Sequence, residues 1–180
     1  MDNTNSKLLL PDPGIIFLIG FMGSGKSWTG GQLAEALNVP FVDLDDLIEQ
    51  TSSLSISDIF TNLGEANFRI IESRTLHCLL GRPVVATGGG APCYFQGMQY
   101  MNRVGTTVFL DPSENILLDR LSGEREHRPL LQNDAQLLSL IRKKMADRRP
   151  IYERAQIHLQ YDDQNFDVVG ELLRQIEDQP

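Results

Sequence analysis

Two apolar periods alternate along the chain. Ile15-Ile16-Phe17-Leu18-Ile19 is an unbroken apolar run, too short for a helix, and reads as a strand buried on both faces. From Lys26 the spacing becomes helical, with Leu33, Ala34 and Leu37 on one side. Pro40 to Leu44 predicts a second strand ending in acidic residues, followed by a helix over Asp46 to Gln50. Helical patterns then run from about Ser55 to Asn62 and from Glu65 to Leu80. Pro83 to Thr87 predicts a third strand, closed by Gly88-Gly89-Gly90, and Thr106 to Leu110 a fourth, ending at Asp111-Pro112. Ser113 caps a helix through Leu121, a charged stretch from Ser122 to Gln132 breaks the pattern, and a helix follows from about Asp134 to Ala146. Ile157 to Leu159 supplies a fifth strand and Asp167 to Ile176 a closing helix.

Strands alternating with helices predict an α/β fold with a parallel sheet covered on both faces. Ligands of such sheets gather at the carboxyl ends of the strands. The ends of the first three strands carry a glycine-rich loop, Asp43 with Asp45, and the glycine triplet, so three separated motifs are expected on one rim.

A length of 180 residues with 41% hydrophobic content suits one domain over residues 1–180 with a full core. The net charge of −8 argues against nucleic acid as a main partner, so an anionic ligand must be met by locally placed arginines. No apolar run approaches the ~20 residues that cross a bilayer. Residues 1–13 lack the features of a secretory signal and read as a loose polar tail. Cys78 and Cys93 form no CxxC pair, which points away from zinc or a disulfide framework and towards a reducing cytoplasm. Cys78 falls in a helical pattern and is expected to be a small core residue. No heptad or apolar stripe demands a partner, and a monomer is expected.

Gly20-Phe21-Met22-Gly23-Ser24-Gly25-Lys26-Ser27 fits GxxxxGKS between a strand and a helix, the pattern of a phosphate-binding loop. Glycines let successive N–H groups turn inward on a polyphosphate, and the following helix presents its positive end to the same anion. Lys26 is expected to reach the terminal phosphates of a nucleotide and Ser27 to hold a magnesium ion through its hydroxyl. Asp43 and Asp45, two apart in an extended segment, would face the same way. Asp43 suits orientation of the magnesium, and Asp45 suits a hydrogen bond from an attacking hydroxyl. A solvated turn capping the next helix remains open for the pair. Arg69 has Glu65 four residues before and Glu72 three after, so a surface ion pair remains open for it.

The ordered set GFMGSGKS, DLD (Asp43 to Asp45), GEANFRIIE, TGGG (Thr87 to Gly90), RPLL (Arg128 to Leu131) and RRPIY (Arg148 to Tyr152) resembles the shikimate kinase family. The resemblance implies a three-layer phosphate-binding-loop kinase fold, a five-stranded parallel sheet in the order 2-3-1-4-5, and a mobile lid at about 122–132. It implies Mg2+-dependent transfer of phosphate from ATP to the 3-hydroxyl of shikimate, in aromatic amino acid biosynthesis. By the same resemblance Gly23, Ser24, Gly25, Lys26, Ser27, Trp28 and Arg128 bind nucleotide, with Lys26, Asp45 and Arg128 catalytic. Asp45, Arg69, Gly88, Gly89, Gly90 and Arg148 bind shikimate, and Ser27 with Asp43 serves the metal. Gln164 is a candidate beside adenine.

Two residues depart from the family pattern: Trp28 stands where a small or β-branched residue is usual, and Gly31 where arginine is frequent. Gly31 costs about 1 kcal/mol of helix propensity against alanine, and packing is expected to compensate. A kinase for another hydroxy acid, such as gluconate, would explain the loop but leave DLD, FR, TGGG and RRPIY without a joint purpose. A nucleotide-binding regulator would have no need of Lys26, Ser27, Asp43 and Asp45 together.

Overall fold

A computed structural model describes residues 14–123 and 134–178, with side chains from 137 in the second stretch. The expected tail, Arg128 and nearly all of the expected lid lie outside the described residues. The elements run β1 (Ile15–Ile19), α1 (Lys26–Leu37), β2 (Phe41–Asp43), α2 (Leu44–Ser52), α3 (Ile56–His77), β3 (Val84–Ala86), α4 (Gly97–Val104), β4 (Gly105–Pro112), α5 (Glu114–Gly123), α6 (Asp134–Tyr152), β5 (Ile157–Tyr161) and α7 (Val168–Glu177). The strands form one parallel sheet in the order β2-β3-β1-β4-β5, as the resemblance implies.

Side-chain alternation along β1 divides the core. Ile15, Phe17 and Ile19 point to a layer built with Leu44, Ile48, Ile59, Phe68 and Ile141, from α2, α3 and α6. Ile16 and Leu18 point the other way, onto Leu33 and Ala34 of α1 and Leu172 and Ile176 of α7. Every residue of β1 is buried, which is why its sequence reads as a continuous apolar run.

The two helices expected between Ser55 and Leu80 are the two helical segments of α3, which meet at a kink at Gly64, whose φ of 80° and ψ of 166° are non-helical and open to glycine alone. α6 runs past the expected end at Ala146 to Tyr152, with Pro150 inside its last turn. Cys78, expected in the core, is exposed at the C-cap of α3. The compensation expected at Gly31 is not there either, because a Cβ at that position would meet nothing within 4 Å. Its neighbour Gly30 is the packed one: a Cβ there would lie 2.5 Å from the Phe41 ring.

At the carboxyl end of β4, Asp111 is buried and holds the sheet to α6. Arg149 donates to its two carboxylate oxygens at 2.7 and 2.8 Å, and His158 and Gln160 on β5 lie at 2.9 and 3.1 Å. Burial alone would push this carboxyl up, but hydrogen bonds from Arg149, His158 and Gln160 hold it below its ordinary value. A carboxyl depressed on folding stabilises the fold above its unfolded pKa, near 3.8, and that contribution is lost as pH falls through the lower folded value. Asp111→Asn should therefore lower Tm at pH 7, equivalent to about 1–3 kcal/mol. Below about pH 4 its stability should fall less steeply with acid than the wild type's. Thermal melts of both proteins from pH 7 to pH 2.5 read the difference, and parallel curves would remove Asp111 from the acid response.

Candidate active site

The loop after β1 curls because three of its glycines take positive φ: Gly20 at 143°, Gly23 at 78° and Gly25 at 91°. Gly20 is also crowded, since a Cβ there would lie 2.6 Å from the Leu110 carbonyl oxygen. Lys26, the first residue of α1, turns back to donate to the carbonyls of Gly20 at 3.1 Å and Phe21 at 2.7 Å. Burial strips water from its ammonium and lowers its pKa to about 8, against the opposing charges of Asp45 and Asp43. Arg120 of α5 donates to the Gly23 carbonyl at 3.1 Å, and the Tyr161 hydroxyl to the Ser24 carbonyl at 3.1 Å. These contacts pin the outer side of the loop. Beside it opens a cleft of about 730 Å³ whose walls include Gly25, Trp28, Arg120, Gln164 and Phe166. Trp28 is 67% exposed there, so its indole is available to a ligand rather than committed to the core.

The tip of β2 carries the acidic pair, in a geometry different from the extended one expected. Asp43 caps α2, and Asp45 is already in the first turn of that helix. One Asp43 oxygen accepts from the Asp45 N–H at 3.1 Å, and the other accepts from the Ser27 hydroxyl at 2.6 Å. The capping alternative and the loop-facing role thus coexist, one on each oxygen. Ser27 and Asp43 offer hard oxygen donors side by side, a set that fits Mg2+, which keeps water and substrate phosphates as its other ligands. Asp45 has one buried oxygen, Oδ1, with no hydrogen-bond partner among the described residues. Burial raises its pKa, Asp43 adds to the rise, and Lys26 and Arg69 oppose it.

The rest of the second half is drawn from α3, the segment after β3, and α6. Arg69 is only 9% exposed, so it is no surface pair. Its guanidinium bonds Glu72 at 2.8 Å and Glu65 at 3.1 Å and lies 4.7 Å from the centre of the Tyr94 ring. The triplet is needed for close approach. A Cβ on Gly88 would lie 2.6 Å from Glu72 Oε1, and one on Gly90 2.4 Å from an Arg69 nitrogen. Arg148 donates to the Gly89 carbonyl at 3.3 Å, and the Tyr152 hydroxyl donates to the same oxygen. Burial pushes the Tyr152 phenol up to about 12, so it remains a donor. A cavity of about 300 Å³ is lined by Asp45, Arg69, Glu72, Gly89, Lys144 and Arg148, among others.

Of the residues expected at the site, Gly23 to Trp28 thus stand on one side, and Asp45, Arg69, Gly88 to Gly90 and Arg148 on the other. Ser27 and Asp43 join the two. Glu72, Tyr152 and Lys144 were not singled out from the sequence. From the sequence Glu72 is only a helical neighbour of Arg69, and Tyr152 lies inside the RRPIY motif, where its reach to Gly89 could have been anticipated. Lys144 carries no motif signal beyond lying one helical turn before Arg148.

A phosphate-binding loop facing a pocket of arginines and glycines across an acidic strand tip defines a small-molecule kinase of the phosphate-binding-loop class. The family model for shikimate kinase matches residues 22–177, and the chain belongs to the shikimate kinase family. The shikimate kinase of Bacteroides fragilis is 45% identical over 144 residues, covering 78% of this chain and 80% of that protein. That of a Sulfurihydrogenibium species is 40% identical over 164 residues, covering 89% and 96%. Among solved structures, the crystal structure of shikimate kinase from Bacteroides thetaiotaomicron superposes with a TM-score of 0.84 at 38% identity, covering 91% of this chain and 98% of that one. Shikimate kinase from Acinetobacter baumannii, solved in complex with shikimate, gives a TM-score of 0.80 at 32% identity, with coverage of 91% and 92%.

Proposed function

We propose that this chain transfers the γ-phosphoryl group of ATP to the 3-hydroxyl of shikimate, giving shikimate 3-phosphate and ADP. The observation that carries the reading is the buried, unpartnered oxygen of Asp45, which lines one cavity with Arg69, Arg148 and the glycine triplet and sits beside Lys26. The relative solved with shikimate supports the acceptor.

In this reading the inward N–H groups of Gly23 to Ser27 and the N-terminus of α1 receive the ATP phosphates. Trp28 forms a wall of the nucleotide cleft. Lys26 exchanges its contacts with the Gly20 and Phe21 carbonyls for the transferred phosphoryl group and stabilises its charge. Ser27 and Asp43 would hold one Mg2+ ion, which when bound would supply charge neutralisation for the phosphates. Arg69 and Arg148 grip the acceptor's carboxylate, and Gly88 to Gly90 let the ring approach the backbone. Asp45 accepts a hydrogen bond from the attacking hydroxyl and receives its proton. Arg128 is proposed to close over the phosphates from the lid and exclude water, a competing acceptor. Two free thiols support a reducing cytoplasm as the compartment. No helix among the described residues is long and apolar enough to cross a membrane.

Coupled ADP release, measured with MgATP and either shikimate, gluconate or no acceptor, tests the reading. Turnover should require shikimate. Acceptor-independent hydrolysis, or preference for gluconate, would overturn it.

A further inference from the structure

We propose that Lys144 is a third cation for the acceptor's carboxylate and sets the net charge of the acceptor pocket. The inference rests on the acceptor reading above. The cavity is lined by three carboxylates, Asp45, Glu65 and Glu72, and by three cations, Arg69, Lys144 and Arg148. Arg69 is largely neutralised before any ligand arrives, because Glu72 holds it at 2.8 Å and Glu65 at 3.1 Å. Lys26 lies beside Asp45 and is not part of the lining, so among the lining cations Arg148 alone would then be left for an incoming acid. Counted without Lys144 the lining is anionic, and a monoanionic acceptor would be repelled. Counted with it, the lining is neutral, the net repulsion is gone, and the carboxylate is left with the local attraction of the two α6 cations.

Placement on α6 supports the same assignment. Lys144 and Arg148 are four residues apart, so they share one helix face, and like charges at that spacing destabilise a helix. An anion between them reverses the sign of the effect. Among the described residues Lys144 has no ion-pair partner, although it is half-buried at the cavity wall. A lysine on that face with only a solvating role would be expected to extend into water. The flexible ammonium is also suited to following the carboxylate as the ring settles, whereas Arg148 is tied to the Gly89 carbonyl at 3.3 Å.

The test is steady-state kinetics of wild type, Lys144→Met and Lys144→Arg, with shikimate and with its neutral methyl ester, at low and high salt. Lys144→Met should raise KM for shikimate about tenfold with kcat and KM for ATP within about twofold, since a charge-assisted contact is lost from binding alone. Lys144→Arg should recover most of the affinity. The penalty should shrink at high salt and vanish with the ester, because both remove the charge interaction. An unchanged KM in Lys144→Met, or an equal penalty with the uncharged ester, would overturn the proposal. Wild type that fails to turn over shikimate would instead sink the acceptor reading itself, so the two failures are distinguishable.

Discussion

Lys26→Met is expected to lower kcat by about 10²–10³-fold, the range for removing one preorganised charge from a transferring group. Methionine matches lysine closely in length and flexibility, so the first turn of α1 should form as before. It cannot donate. The Gly20 and Phe21 carbonyls, now bonded by the ammonium at 3.1 and 2.7 Å, would lose that donor in the free enzyme. In the reacting complex the phosphoryl group would lose the buried cation proposed to stabilise it. The backbone N–H groups of the loop are untouched, and the positive φ values of Gly23 and Gly25 do not depend on the lysine. KM for ATP should therefore change less than kcat. Single-turnover rates at saturating ATP and shikimate, with circular dichroism to verify folding, measure the effect. A kcat within threefold of wild type would show that another group carries the phosphoryl charge.

The loop was legible in the sequence because its constraint is local: glycines at fixed spacing, then Lys-Ser, between an apolar run and a helix. Strand order and the identity of the acceptor pocket came from resemblance, since no local signal sets which strands become neighbours. Where local signals stood alone they misled in specific ways. The helix expected to end at about Ala146 continues through Pro150 to Tyr152. The proline forfeits one backbone hydrogen bond, to the carbonyl of Ala146, and that residue is exposed, so water can satisfy it. That extra turn carries Arg148 to the Gly89 carbonyl. The helix over Gly97–Val104 gave no start signal, since Gln96 before it takes a φ of 58° and supplies no side-chain cap. Spacing predicted the right pair at the β2 tip for an incomplete reason. Asp43 and Asp45 meet through a helix cap, not along an extended strand. Burial decided the case of Arg69, and sequence spacing carries no information about burial.

Asp45→Asn is the complementary experiment on the acceptor side, and kcat is expected to fall about 10²–10³-fold, within the range for loss of a positioned proton acceptor. The amide is isosteric and keeps one acceptor oxygen, so the pocket's shape survives. It cannot take a proton, and its NH2 can turn towards the hydroxyl it should receive from. Phosphoryl transfer has a loose transition state, so placement of the hydroxyl should matter at least as much as basicity. KM for shikimate should rise only a fewfold, because the grip proposed for Arg69 and Arg148 on the carboxylate does not involve Asp45. Stability should move differently from activity. The wild-type carboxylate is held in a buried place beside Asp43, with an unpartnered oxygen, so its charge is a strain on the fold. The neutral amide relieves that repulsion, and Tm should stay level or rise. Wild-type kcat in Asp45→Asn would remove Asp45 from the chemistry. A fall in kcat accompanied by a large loss of Tm would make its role architectural. Lost turnover in a protein that melts no earlier would mark Asp45 as a residue kept for function at the expense of stability.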